Sequence, residues 1–178
     1  MRKKYSRFFS NSLLPLFLII LFISTGFASL GVVAAFNDKA KKPDSHFIDD
    51  GNGIIKDTRT GLMWTKKDSY ANTGKCMNWY DSKIYVRGLK TGGFSDWRMP
   101  QEKEIMSIYD EFYWSRISFD HHYPLHLDTI FADGAAYWYW LAESAESSYA
   151  STINFLDGFV TELERDRCSN LGVRAVRH

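Results

Sequence analysis

The order of apolar and polar positions divides the chain into a leader and a folded part. No charged residue occurs between Phe8 and Asn37, and the densest stretch, Leu13–Ile23, reads LLPLFLIILFI behind the basic start MRKKYSR. A basic start, an apolar run and the small residues at Gly26-Phe27-Ala28 or Val33-Ala34-Ala35 match a secretory signal peptide. Residues 13–36 also suffice for a bilayer span of about 20 residues. Residues 1–36 are therefore either a cleaved signal peptide or an N-terminal hydrophobic helix held in the inner membrane. Both readings keep the basic residues cytoplasmic and export the rest of the chain to the periplasm, the cell surface or the medium.

Residues 37–44, NDKAKKPD, are polar, contain a proline and read as a linker, so the domain proper spans 45–178. Within it, Asp50-Gly51-Asn52-Gly53 separates two alternating apolar runs and predicts a β-hairpin. A calcium loop is the competing reading, but the spaced oxygen ligands ending in Glu are missing. Cys76, Tyr80 and Ile84 recur at i, i+4 and i+8, predicting a helix over 76–89 that buries this stripe. A second helix is predicted after Pro100, with Ile105, Ile108, Tyr109 and Phe112 on one face and Glu102 and Glu104 in its first turn. An irregular aromatic segment comes next. Strands are then predicted over 136–143, at 151–160 entering an Asp157-Gly158 turn, and at 171–178. Alternation in the first of these sends Trp138 and Trp140 inward and Tyr137 and Tyr139 outward. Strands and helices are segregated rather than interleaved, which predicts an α+β domain with an antiparallel sheet.

Composition narrows the function. Residues 1–36 hold four of the 22 basic residues and no acid, leaving 18 basic against 21 acidic residues in the exported part. A mildly acidic domain lacks the clustered positive charge that phosphate backbones require, which excludes sequence-independent nucleic-acid binding. Cys76 and Cys168 are the only cysteines. Export favours their pairing in a structural bridge, which would remove about 4–5 kcal/mol of unfolded-chain entropy. A reactive or metal-bound pair would call for CxxC spacing or an adjacent His, and neither is present.

The stretch FDHHYPLHLD, residues 119–128, brings three histidines near Asp120 and Asp128. His122 and His126 are four apart, but Pro124 between them opposes the helix that would align two imidazoles on one metal. The segment reads better as a binding loop on a rigid scaffold. Tyr113, Tyr123, Tyr137 and Tyr139 offer faces for sugar rings, and Arg116, His121 and His122 could meet anionic groups. No G-x-S-x-G elbow, HExxH or phosphate loop occurs, so no catalytic residue, cofactor or metal is expected. Arg98, within DWRMP, is expected to pair with Asp96 or Glu104 while Trp97 enters the core and Pro100 sets a helix start.

Four elements carry a family resemblance: Asp50-Gly51-Asn52-Gly53, then Asp57-Thr58-Arg59-Thr60-Gly61-Leu62-Met63-Trp64, then Gly92-Gly93-Phe94-Ser95-Asp96-Trp97-Arg98-Met99-Pro100 with Glu104, and Val173-Arg174-Ala175-Val176-Arg177. In this order they resemble the C-terminal domain family of the Legionella collagen-like adhesin (Lcl). The resemblance implies a C-type-lectin-like fold, related to that of formylglycine-generating enzymes. Such a fold has a twisted antiparallel sheet, two flanking helices and neighbouring N- and C-terminal strands. It also implies a disulfide from the first helix region to a late strand, where Cys76 and Cys168 fall. The family's Trp-Ser-Ser element is only approximated by Trp140-Leu141-Ala142-Glu143-Ser144, and no collagen-like repeat precedes the domain. The expectation is a non-enzymatic binding module whose partner is a glycan or an envelope protein, met through residues 112–139. The alternatives are a structural subunit of an envelope assembly and, third, an enzyme of the formylglycine-generating type.

Overall fold

A computed structural model describes residues 45–142 and 148–178. The leader, the linker, the last residue of the expected 136–143 strand, Glu143, and Ser144 of the Trp-Ser-Ser-like element lie outside the described residues. The elements are β1 (Phe47–Gly51), β2 (Ile54–Asp57), β3 (Met63–Thr65), α1 (Ser69–Thr73), α2 (Trp79–Gly88), α3 (Glu102–Ile105), β4 (Trp138–Trp140), β5 (Tyr149–Asn154), β6 (Val160–Glu164), β7 (Leu171–Gly172) and β8 (Val176–Arg177). The class is α+β. The single antiparallel sheet is replaced by two four-stranded sheets, ordered β1-β2-β3-β8 and β6-β5-β4-β7, the second containing one parallel pair, β4–β7. Among the described residues no helix is long and apolar enough to cross a membrane.

The predicted hairpin forms as β1 and β2, and its turn holds Gly51, Asn52 and Gly53 at φ of 75°, 51° and 81°. Glycine and asparagine occupy this left-handed region at little steric cost. The C-terminal strand β8 then joins the hairpin's sheet through β3, Trp64 facing Val176, so the two ends of the domain share one sheet.

Strand alternation works differently from the half-buried pattern expected. Ile55, Trp64 and Tyr139 enter one apolar cluster, with Phe131, Ile153 and Phe155. Their chain neighbours Ile54, Met63 and Trp140 enter or border a second cluster with Trp79, Trp97 and Val173. Central strands thus lie between two cores, and both side-chain sets are covered. Tyr137 and Tyr139, expected outside, are consequently buried.

The two expected helices also differ in detail. Helix α2 starts at Trp79 behind the Asn78 cap, whose side chain accepts the Asp81 amide at 2.8 Å. It buries Trp79, Ser82 and Val86, not the expected stripe: Tyr80 and Ile84 are exposed, Ile84 to 68%. The Trp79 indole decides the face, because its Nε1 donates to the Leu141 carbonyl at 3.0 Å. Helix α3 is a single turn with a capping box between Gln101 and Glu104. Ile105 and Ile108 are buried as expected, but Arg59 Nη2 donates to the Ser107 carbonyl at 2.7 Å and the Asp110 side chain accepts the Phe112 amide at 3.0 Å. Both bonds hold the backbone in a non-helical path, and Phe112 leaves the core.

The expected terminal strand is split. Leu171 and Gly172 pair with β4, Val176 and Arg177 pair with β3, and the chain crosses between the sheets at Val173-Arg174-Ala175. Polar bonds fix the crossing. Val173 exchanges hydrogen bonds with Ser69, and Ala175 donates to Thr65 Oγ1 while accepting the Thr65 amide. The Cys76–Cys168 bridge is formed, with Cα atoms 5.6 Å apart, and joins the segment before α2 to the β6–β7 connection.

Helix α2 supplies a direct check on its buried face. Val86→Ala is expected to cost about 1–3 kcal/mol in urea unfolding, whereas Ile84→Lys stays within about 0.5 kcal/mol of wild type.

Candidate functional site

Residues 106–137 contain no helix or strand, yet they are tied firmly to the domain. Ser115 and Leu125 exchange backbone hydrogen bonds of 2.8 Å, and Ser115 Oγ donates to the Leu127 carbonyl at 2.6 Å. Phe119 donates to Ala135, Ala135 to Ile117 and His126 to Phe155, so the segment is stitched to itself and to the residue that follows β5. Ile117, Leu125, Leu127 and Phe131 point into the first core. Apolar anchors and repeated backbone hydrogen bonds make this a shaped surface, as expected of a functional loop held by a scaffold.

The outward residues are aromatic or polar. Phe112 is 92% exposed, Trp114 54% and Tyr123 57%, with Arg116, Asp120, His121 and His122 also at the surface. His121 adopts φ of 55° and places Nε2 2.8 Å from Asp133, linking two turns of the segment. Tyr113 is half-buried, its hydroxyl 3.5 Å from Thr129 Oγ1. His126 is also half-buried, and its Nδ1 faces the Asp110 and Tyr113 carbonyls at 2.8 and 3.1 Å, so that nitrogen carries the hydrogen. Among the described residues no group of three or more His, Cys, Asp or Glu is placed to hold a metal.

Of the seven sequence-derived ligand candidates, Arg116, His121, His122 and Tyr123 are exposed and Tyr113 is partly so. Tyr137 and Tyr139 are removed from contact with a ligand by burial. The Tyr137 hydroxyl donates a short hydrogen bond to Asp120, and burial, then this bond, raises its pKa. The Tyr139 hydroxyl donates to Asp68 at 2.6 Å, and its pKa is raised by complete burial and next by the Asp68 charge. Phe112 and Trp114 are surface residues outside that candidate set. Phe112 sat at helical spacing from Ile105 and Ile108, and only the Asp110 turn signal spoke against the helix.

Beside Phe112 lies a cleft of about 300 Å³ between the start of β1 and residues 107–112, lined among others by Arg59, Tyr109, Asp110, Glu111 and Asp128. Asp128 is buried and fixed by the Ser45 hydroxyl at 2.7 Å and the Ile130 amide at 2.9 Å.

The signature residues build the scaffold under this surface. Asp57 accepts the Arg59 and Thr60 amides and the Thr60 hydroxyl, closing the turn that Gly61 completes at φ of 76°. Trp64 is fully buried, and Trp97 enters the second core with its Nε1 on the Thr91 carbonyl at 3.1 Å. Pro100 is buried just ahead of α3. Arg98 grips both oxygens of Glu104, at 2.7 and 2.5 Å. Asp96 instead pairs with Arg177, whose guanidinium lies 3.7 Å from the Phe94 ring centre. Arg174 is buried between the sheets, 3.5 Å from Asp68.

Two sheets joined through the C-terminal strands, a disulfide-tied helix region and a stitched aromatic surface define an α+β domain. The chain belongs to the Lcl C-terminal domain family, whose model matches residues 53–177. Comparison with curated protein sequences gave no match. Family membership points to a surface-associated, adhesion-type module, and together with the closed disulfide it accords with an extracytoplasmic location.

The Arg98–Glu104 pair carries a pH signature. The guanidinium holds the Glu104 carboxyl below its ordinary value of 4.5. Its stabilisation is therefore complete above that unfolded-state value and is lost as pH falls through the lower folded value. Glu104→Gln is expected to cost about 1–2 kcal/mol near neutral pH, allowing for partial exposure of the pair. The difference from wild type should shrink in acid; a cost that stays constant down to about pH 3 contradicts the assignment.

Proposed function

We propose that the domain is a non-enzymatic binding module that recognises a glycan or another surface ligand through the outward face of residues 107–126. The observation that carries this reading is the exposure of Phe112, Trp114 and Tyr123 on a segment whose backbone is otherwise fixed by hydrogen bonds and apolar anchors. Large apolar side chains on a rigid, exposed surface cost solvation without serving the core, which is the mark of a contact surface. Arg116, His121 and His122 among them add hydrogen-bonding groups for ligand hydroxyl and ring oxygens. Rigid aromatic anchors also lose little conformational entropy on binding.

A C-type-lectin-like architecture is the fold assignment that goes with this reading. Its support is the sharing of one sheet by both ends of the domain and a disulfide from the segment before α2 to the connection between the late strands β6 and β7. A formylglycine-generating type of enzyme would need reactive thiols, and the only two cysteines are bridged to each other.

Retention on a glycan array and on a heparin column tests the reading. The Tyr123→Ala, His121→Ala double variant, with Trp114→Ala as a second variant, is expected to lose about tenfold in affinity, or ~1.4 kcal/mol. As these residues are exposed, the melting temperature should stay within a few degrees. Binding that survives both variants rules out this face. A stoichiometric protein partner that co-purifies with no glycan retained would instead make the domain an envelope-assembly subunit.

A further inference from the structure

The cleft beside Phe112 brings together an arginine, three carboxylates and the rings of Tyr109 and Phe112. Arg59 is anchored by one nitrogen, Nη2, on the Ser107 carbonyl, and its Nε and Nη1 make no hydrogen bond among the described residues. Three carboxylates line the same space, those of Asp110, Glu111 and Asp128. Two are held by their own chain: Asp110 by the Phe112 amide at 3.0 Å, and Asp128 by Ser45 and Ile130. Tyr109 forms an aromatic wall, packed edge-on against Phe155. Phe112 stands at the mouth with 92% of its surface exposed.

We propose that this cleft seats one neutral, hydroxyl-rich sugar unit, so that within the proposed binding surface the preferred glycan is uncharged. The inference rests on the reading of residues 107–126 as a glycan-binding face and names its ligand class. Carboxylates accept hydrogen bonds from sugar hydroxyls, and the guanidinium donates to hydroxyl or ring oxygens. An aromatic face covers the apolar C–H face of the ring. With their positions already fixed, these groups lose little freedom on binding. The charge balance disfavours the other common class: a sulfate or uronate entering here meets three carboxylates, with Arg59 and the His46 imidazole as the basic groups of the lining, an arrangement that repels anions at close range. About 300 Å³ sits at the lower end of the range for small-molecule pockets and accommodates one ring rather than a folded oligomer.

The test uses the intact protein on an array of neutral oligosaccharides ending in glucose, galactose or mannose, in parallel with immobilised heparin. Wild type is expected to bind at least one neutral probe more tightly than heparin. Phe112→Ala and Glu111→Ala, both at exposed residues of the cleft, should each weaken that binding tenfold or more, with unfolding midpoints near wild type showing that the fold persists. Neutral binding unaffected by either variant overturns the placement in this cleft. Preference for heparin, lost in Phe112→Ala, overturns the neutral class but leaves the binding face intact. Failure to bind either probe overturns this assignment and the glycan reading beneath it.

Discussion

The structure turns on a guanidinium with no exposed surface. Arg174 lies between the two sheets, where its Nη1 donates to the Thr65 and Lys66 carbonyls at 2.8 Å and its Nη2 approaches Asp68 at 3.5 Å. Nη2 also meets the Tyr139 hydroxyl at 3.3 Å, and the Phe131 ring covers the guanidinium at 4.6 Å. Asp68 is equally buried: its carboxylate accepts three hydrogen bonds, from the Ala71 amide as the cap of α1, the Ala136 amide and the Tyr139 hydroxyl, and faces Arg174 as an ion pair. One buried ion pair thus binds the end of β3, the start of α1, the entry to β4 and the C-terminal crossing. Two charges withdrawn from water are tolerated only where such bonds replace hydration. That requirement fixes where the chain must cross from one sheet to the other.

The candidate surface depends on this junction indirectly. Residues 106–137 run from α3 to β4, and their far end is set by the Ala136 amide on Asp68. Their near end is set by Arg59 on the Ser107 carbonyl, within the Asp57 turn that also receives the Ser107 hydroxyl. Between these anchors the apolar side of the segment fills the first core, which leaves Phe112, Trp114 and Tyr123 outside. The disulfide ties a different part of the chain, the segment before α2 and the β6–β7 connection, and joins none of residues 106–137.

Local chemistry was legible in the sequence wherever one turn or one pair decided the outcome. The Asp-Gly-Asn-Gly hairpin, the start of α3 behind Pro100 and the Arg98–Glu104 pair follow from residue type and short spacing, and the Cys76–Cys168 bridge, 92 positions apart, from these being the only two cysteines. Faces were less legible. Periodicity marked Tyr80 and Ile84 as the buried stripe of α2, but the tertiary bond from the Trp79 indole to Leu141 turned the helix the other way. Tyr139 could not be assigned from alternation, because a strand between two cores has no solvent side. The split of LGVRAVRH into β7 and β8 was hidden for the same reason. An arginine in an apolar run reads as an outward residue until its buried carboxylate, more than a hundred positions earlier, is known.

The dependence of the fold on the Asp68–Arg174 pair is tested most directly by a double-mutant cycle of Asp68→Asn and Arg174→Met, measured by urea unfolding at neutral pH. Each single variant leaves its partner buried without compensation and is expected to cost about 3–5 kcal/mol. The double variant should cost less than their sum by at least about 1 kcal/mol, since it removes both charges together. Single costs below about 1 kcal/mol, or a double variant that equals the sum, would contradict the central place given to this pair.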